Sequence, residues 1–243
     1  TRGQEMVRVE HLTRRKEFED VTFTAYAGEI LGVYGLIGAG RTETLETVFG
    51  ARKPDSGNIF IRGKEVHYTS PRDAIADRIG MVTEDRRRTG LMLAKSVRDN
   101  IVLPSLPMHK KKLGFANPPW EKEVAEEMKK KLMIKTPSID TIIGNLSGGN
   151  QQKVILGKWL IANVDILILD EPTRGIDVNA KSEFYALMNE FVAAGGCIIM
   201  ISSEMPEVIG ISDRIIVLHE GHLRGEVTGA DMNEQEIIKL ANA

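Results

Sequence analysis

The stretch ILGVYGLIGAGRTET, residues 30–44, decides the fold. Its apolar start (Ile30, Leu31, Val33, Tyr34) has the length of a buried strand, the turn 35–40 is rich in glycine, and Arg41-Thr42-Glu43-Thr44-Leu45 opens a helix. Glycines let backbone N–H groups converge, and the helix behind them adds its positive end. Strand, turn and helix together therefore make a cradle for a polyphosphate. The spacing is G-x4-G, then a basic residue and a threonine, with Arg41 where lysine is the usual occupant. The same turn has a second reading, close backbone packing without a ligand, and the rest of the chain has to decide between them.

Length and composition narrow the field. At 243 residues the chain buries a full core, either as one large domain or as a domain with a sub-domain. With 32 basic against 34 acidic residues there is no general electrostatic attraction to nucleic acid. One cysteine, Cys197, excludes an internal disulfide framework and any multi-cysteine zinc site, and its neighbours Ile198, Ile199 and Met200 mark it as a buried, inert thiol. No apolar run approaches the roughly 20 residues that span a bilayer, and no secretory leader opens the chain. These features predict a soluble, cytoplasmic domain, and the start at Thr1 predicts a piece of a longer polypeptide.

Residues 6–12 and 21–26 alternate apolar and polar, as half-buried strands do, and predict a small antiparallel layer. A turn at 54–57, a strand at 58–63, a short helix at 71–77 and a strand at 79–83 follow. From about 85 to 145 the composition changes: Trp120, Val124, Met128 and Leu132 recur at helical spacing after Pro118-Pro119, which predicts a helical sub-domain. The basic run 109–112 reads as a solvated loop.

Two further stretches carry chemistry. LSGGNQQK, residues 146–153, leads into an apolar helix at 154–162; Ser147 is placed to cap it, and Gly148 and Gly149 bare its first N–H groups to an outside anion. A capped, buried helix with a glycine turn is the plainer alternative. The run DILILDEPT, residues 165–173, is a short apolar strand ending in Asp170 and Glu171, two acids delivered to the carboxyl edge of a parallel sheet where α/β folds bind ligands. An amphipathic helix at 179–194, strands at 197–202 and 215–218, a hairpin partner at 221–227 and a final helix at 233–242 complete a mixed α/β sheet protein. The apolar stripe of that last helix reads as docking surface.

Over nearly its full length the chain resembles the nucleotide-binding subunits of ATP-binding cassette (ABC) transporters: residues 35–42, 146–153 and 166–172 occur in that family's order and spacing. The wording GLIGAGRTE, TEDRRRTG, LSGGNQQK, DEPTRGID and ISSEMPEV is similar to the second, C-terminal cassette of monosaccharide importers of the ribose, galactose and xylose type. The resemblance implies a P-loop NTPase-type mixed sheet with an antiparallel β layer, with a nucleotide-binding core of residues 1–84 plus 146–243 and an inserted helical sub-domain of residues 85–145. It also implies two cassettes facing head to tail, joined in one polypeptide, with each ATP held between the phosphate loop of one and the signature of the other. In that arrangement Gly35, Gly38, Ala39, Gly40, Arg41, Thr42 and Glu43 hold phosphates, Thr42 and Asp170 hold Mg²⁺, and Glu171 polarises the attacking water. Ser147, Gly148, Gly149 and Gln151 reach the companion's γ-phosphate, and Asp177 lies in the loop through which the two sites communicate. The partners implied are a companion cassette, membrane permease subunits and, indirectly, a sugar-binding protein. The place implied is the cytoplasmic face of the membrane.

Three positions depart from that pattern. Arg41 replaces a lysine that bridges the β- and γ-phosphates; a planar, fork-shaped guanidinium cannot place a compact ammonium there, so binding is expected to survive while transition-state fit suffers. Glu84 replaces the glutamine that senses the γ-phosphate and Mg²⁺, adding an acid near the phosphates and a third candidate Mg²⁺ residue beside Thr42 and Asp170. Ser203 replaces the histidine that orients the water. No aromatic residue is evident for stacking on adenine; Phe18 fits a core position, and the base is expected to be held either loosely or by Arg14 or Arg15. The three departures predict a weak phosphate-loop site here and an intact signature that completes the companion's site. Two rivals remain at this level: a nucleotide-binding regulatory module without turnover, and an ABC ATPase of DNA maintenance, although the span 85–145 is too short for coiled-coil arms and lacks heptads.

Overall fold

A computed structural model describes residues 3–109 and 117–242. Two compact units divide them, one of residues 3–81, 165–172 and 188–242, the other of residues 82–164 and 173–187.

The first unit holds two sheets. β1 (Glu5–Arg14), β2 (Phe18–Tyr26), β4 (Ser56–Ile61) and β5 (Lys64–Val66) form the expected antiparallel layer, in the order β2-β1-β4-β5. Alternation shows in the burial: Val7, Val9 and Leu12 on β1 and Val21, Phe23 and Ala25 on β2 are inside. The larger sheet runs β10-β9-β3-β8-β7-β6, built from β3 (Ile30–Gly35), β6 (Ile79–Val82), β7 (Ile166–Asp170), β8 (Cys197–Ile201), β9 (Arg214–His219) and β10 (His222–Thr228). β3 pairs in parallel with β8 and β9, β7 in parallel with β8, while β10 closes a hairpin on β9. Every residue of β3, β7 and β8 is buried, which is why these strands read as unbroken apolar runs. Register sets Asp170 opposite Ile201 and Gly35 opposite Leu218, so the ends of four parallel strands share one edge.

Helices α1 (Arg41–Val48) and α2 (Pro71–Ala76) follow β3 and β5; α7 (Met205–Ile211) and α8 (Glu234–Ala241) follow β8 and β10. The stripe of α8 docks as expected: Ile237 and Ala241 are buried in one cluster with Tyr34, Val217 and Val227, and Leu240 packs against it. Cys197 is buried, and burial raises its thiol pKa far above the ordinary range, so it is inert.

The second unit is helical. α3 (Val97–Val102) is started by a capping box in which Ser96 Oγ accepts from Asp99 N (3.0 Å) and Asp99 answers Ser96 N (3.3 Å). α4 (Pro118–Lys131) begins at the expected prolines and buries Ala125 and Met128. Of the basic run, residues 110–112 lie outside the described residues, and the His109 ring stacks on Trp120 at 4.0 Å. α5 (Gly148–Ile161) starts six residues before the apolar run at 154, and α6 (Val178–Ala193) opens in this unit. The unit therefore takes in residues 146–164 and 173–187, which the sequence reading assigned to the core.

A π-turn at Arg86–Gly90 packs on α5 within this unit. Lys158 Nζ donates to Gly90 O at 2.7 Å with burial pulling its pKa down to about 8 from 10.5. Between those values the folded protein binds fewer protons at Lys158 than the unfolded chain does, so stability rises with pH there and is lost as pH falls through 8. The unfolding free energy should gain up to roughly 3 kcal/mol across that window, a gain that Lys158→Met removes. Denaturant titrations at pH 7 to 10 check it; parallel curves for the two proteins would refute it.

Candidate functional site

Local chain geometry builds the phosphate loop. A Cβ on Gly35 would stand 2.4 Å from Leu218 O on β9, so glycine is needed where β3 leaves the sheet. Gly40 has φ +84°, and a Cβ there would meet Glu17 O at 2.7 Å. The β9–β10 turn closes the back of the loop: Gly221 N donates to Ala39 O (3.2 Å) and Glu19 N donates to Gly221 O (2.8 Å). Inside the loop Ala39 N donates to Leu36 O at 3.0 Å, whereas the amides of Gly38, Gly40, Arg41, Thr42 and Glu43 have no backbone partner among the described residues. Converging free amides at a helix start suit an anion.

The acidic strand comes to the same place. Thr42 Oγ1 donates to Asp170 Oδ2 at 2.9 Å, linking the first turn of α1 to the buried end of β7. A hydroxyl and a carboxylate side by side are hard oxygen donors of the kind Mg²⁺ takes. Among the described residues no group of three or more His, Cys, Asp or Glu could hold a metal, so a cation here would rest on these two oxygens and on the oxygens of its substrate.

Glu171 sits at φ +49°, an uncommon conformation for a side chain without a local hydrogen-bonding habit, and Glu171 N is held by Ile201 O at 3.0 Å. Its carboxylate accepts from Ser203 Oγ (3.2 Å) and lies 3.9 Å from the Arg41 guanidinium. Burial raises its pKa, opposed by the Ser203 hydroxyl and Arg41. A carboxylate tuned upward accepts a proton from water more readily. Arg41 itself is buried, and Nη1 donates to Ser202 O at 3.2 Å. The guanidinium is thus engaged by the sheet edge and the acid.

Beside Gly38 opens a pocket of about 740 Å³ whose wall includes Thr13, Arg15, Lys16, Phe18 and His222. Phe18 is buried, as the sequence reading expected. Arg14 is committed to Glu17 and to Lys53 O (2.7 Å), leaving Arg15 as the arginine on this wall.

The remaining candidates belong to the second unit. Ser147 stands at the N-cap position of α5 by its backbone, but its hydroxyl makes no cap; it accepts from Asn150 Nδ2 at 2.9 Å. Gly148 and Gly149 answer to packing as well as access, since a Cβ would meet Arg86 Nη2 at 2.8 Å at the first and Ala180 Cβ at 2.6 Å at the second. Gln151 turns inward: it is 2% exposed, and Nε2 donates to Ile143 O and Leu146 O, bracing the turn from within. Asp177 caps α6 through Ala180 N at 3.0 Å. Glu84 forms an ion pair with Arg174, so the extra acid carries its own counter-charge. Sequence reasoning missed Arg174 and Arg86; the charge run at 84–88 was the available signal.

The ABC transporter family matches residues 18–174. A putative ribose/galactose/methyl galactoside import ATP-binding protein of Halalkalibacterium halodurans is 49% identical over 98% of this chain and 46% of its own length. The ribose import ATP-binding protein RbsA of Geobacillus kaustophilus is 49% identical over 99% of this chain and 49% of its own. The chain spans about half the length of these curated relatives. Among solved structures, the ADP conformation of MJ1267, an ATP-binding cassette of an ABC transporter, superposes with a TM-score of 0.80 at 20% identity, covering 98% of this chain and 95% of that one. At that identity the likeness establishes the fold.

Proposed function

The chain belongs to the ABC transporter family, and on that premise we propose that it is the ATP-binding, energy-coupling cassette of a monosaccharide importer. The observation that carries the reading is the 2.9 Å contact of Thr42 with Asp170 next to five amides without backbone partners. The β-phosphate lies on the amides of residues 38–42, and the nucleoside occupies the pocket along Arg15, Lys16 and His222. Thr42 and Asp170 hold Mg²⁺, which neutralises phosphate charge when bound. Glu171 accepts the proton of the attacking water, with Ser203 and Arg41 fixing its orientation. Ser147 and the first amides of α5 complete a second ATP site presented by a companion cassette, the other half of a longer polypeptide. Permease subunits and a sugar-binding protein complete the assembly at the cytoplasmic membrane face.

Phosphoryl transfer to water is mostly positioning and charge neutralisation, so small misplacements weigh heavily. Arg41 is drawn toward Ser202 and Glu171, and Ser203 supplies a hydroxyl where the resemblance implies a cation. Both support a slow site at this phosphate loop, with productive turnover at the companion's. ATP binding with Mg²⁺ and turnover, measured on this chain alone and on the joined pair, test the reading. Binding with slow turnover alone and brisk turnover in the pair is expected; brisk turnover by the isolated chain that depends on Glu171 would refute the division.

A further inference from the structure

Arg86 has no place in the roles above, yet it touches the signature turn. Its Nη1 donates to Arg174 O at 2.8 Å and its Nη2 to Gly175 O at 3.5 Å, and Nη2 lies 2.8 Å from where a Cβ on Gly148 would stand. Its Nε is buried without a partner, and no ion pair to a carboxylate is formed among the described residues. Burial and the charge of Arg87 lower its pKa against the pull of Asp85, but a guanidinium remains charged at any physiological pH.

The turn that presents it is pinned at both ends. Asp85 accepts from the amides of Arg87 and Arg88 at 3.1 Å, Thr83 and Thr89 share a hydroxyl hydrogen bond of 2.6 Å, and Lys158 holds Gly90 O. A Cβ on Gly90 would lie 3.2 Å from Ile155. The π-turn thus meets α5 at Gly148, at Ile155 and at Lys158, along most of that helix's length. π-turns are rare and recur at functional sites.

We propose that Arg86 is a positioning residue: its guanidinium, held by the Arg174–Gly175 backbone, packs against Gly148 as a buttress for the signature turn and so fixes the aim of Ser147 and the first α5 amides at the γ-phosphate of a companion's ATP. The proposal rests on the two-cassette reading. The two carbonyls are met by two separate nitrogens of the fork, which a single ammonium on a shorter reach does not reproduce, so lysine is an incomplete substitute.

Because the signature meets only the γ-phosphate, loss of Arg86 affects ATP and not ADP. In the full polypeptide, Arg86→Gln should lower kcat/KM for ATP about 10- to 100-fold, and leave the inhibition constant of ADP within about twofold. Arg86→Lys, the variant to read should the first fail to fold, should recover part of the loss and speed amide exchange at residues 148–151. General damage to the fold would weaken ADP and ATP together, and that result overturns the proposal. So does unchanged turnover in both Arg86 variants while Ser147→Arg abolishes it, an outcome that leaves the two-cassette reading standing. If Ser147→Arg is harmless as well, the reading itself falls and takes the proposal with it.

Discussion

Ser147→Arg in the polypeptide carrying both cassettes is expected to cut ATP turnover at least about 100-fold, the scale of losing preorganised donors to a developing anion. Arg41→Ala should cost about threefold or less, under 1 kcal/mol of barrier. The difference follows from where the two side chains lie. Ser147 is exposed at the start of α5, ahead of amides that the helix leaves unpaired, and a long side chain there keeps any phosphate from approaching. Arg41 is buried against Ser202 O and Glu171. Its removal opens a void and strands a carbonyl, so Arg41→Ala should lower the melting temperature while leaving the companion's site intact. Initial rates and thermal melts on the same preparations separate the two effects. Comparable losses of turnover in two equally folded variants would count against the asymmetry.

What could be read in the sequence followed from burial on both faces and from glycine. β3, β7 and β8 are wholly inside, so their apolar runs are unbroken, and the acids that end β7 stood out against them. The phosphate loop was legible because its glycines answer to backbone clashes that any side chain would make, at Gly35 and Gly40. The start of α5 was legible from Ser147, which stands at its N-cap, although Gly148 and Gly149 are poor helix formers. Tertiary contacts override them: Gly149 fits against Ala180, and Gln151 anchors the turn to Ile143 and Leu146. The same packing places residues 146–164 in the compact unit that holds α3 and α4. α7 has seven residues with a proline in its first turn, too short to show a period. Pairs such as Glu84 with Arg174 join residues 90 apart and leave no local trace.

Asp170→Asn should abolish the Mg²⁺ dependence of nucleotide binding by the isolated chain. The amide is isosteric and its oxygen still accepts from Thr42 Oγ1, so the sheet edge keeps its packing around a residue that is 1% exposed. What is lost is the negative charge that holds a hard cation beside the phosphates. ATP affinity with Mg²⁺ should therefore fall about 10- to 100-fold, equivalent to roughly 1.4 to 2.7 kcal/mol. ATP affinity in EDTA should hold or improve, because one acid no longer repels the phosphates. The ligand-induced rise in melting temperature reads both quantities, since a ligand that binds only the folded state stabilises it by RT times the logarithm of one plus the ratio of free ligand to Kd. Thr42→Val, which keeps the shape and removes the hydroxyl, should move in the same direction by less, because one neutral ligand contributes less than a carboxylate. Should Asp170→Asn keep the full wild-type difference between Mg²⁺ and EDTA, the contact of Thr42 with Asp170 would be a packing interaction, and the phosphate loop would have lost the cation partner on which the nucleotide reading turns.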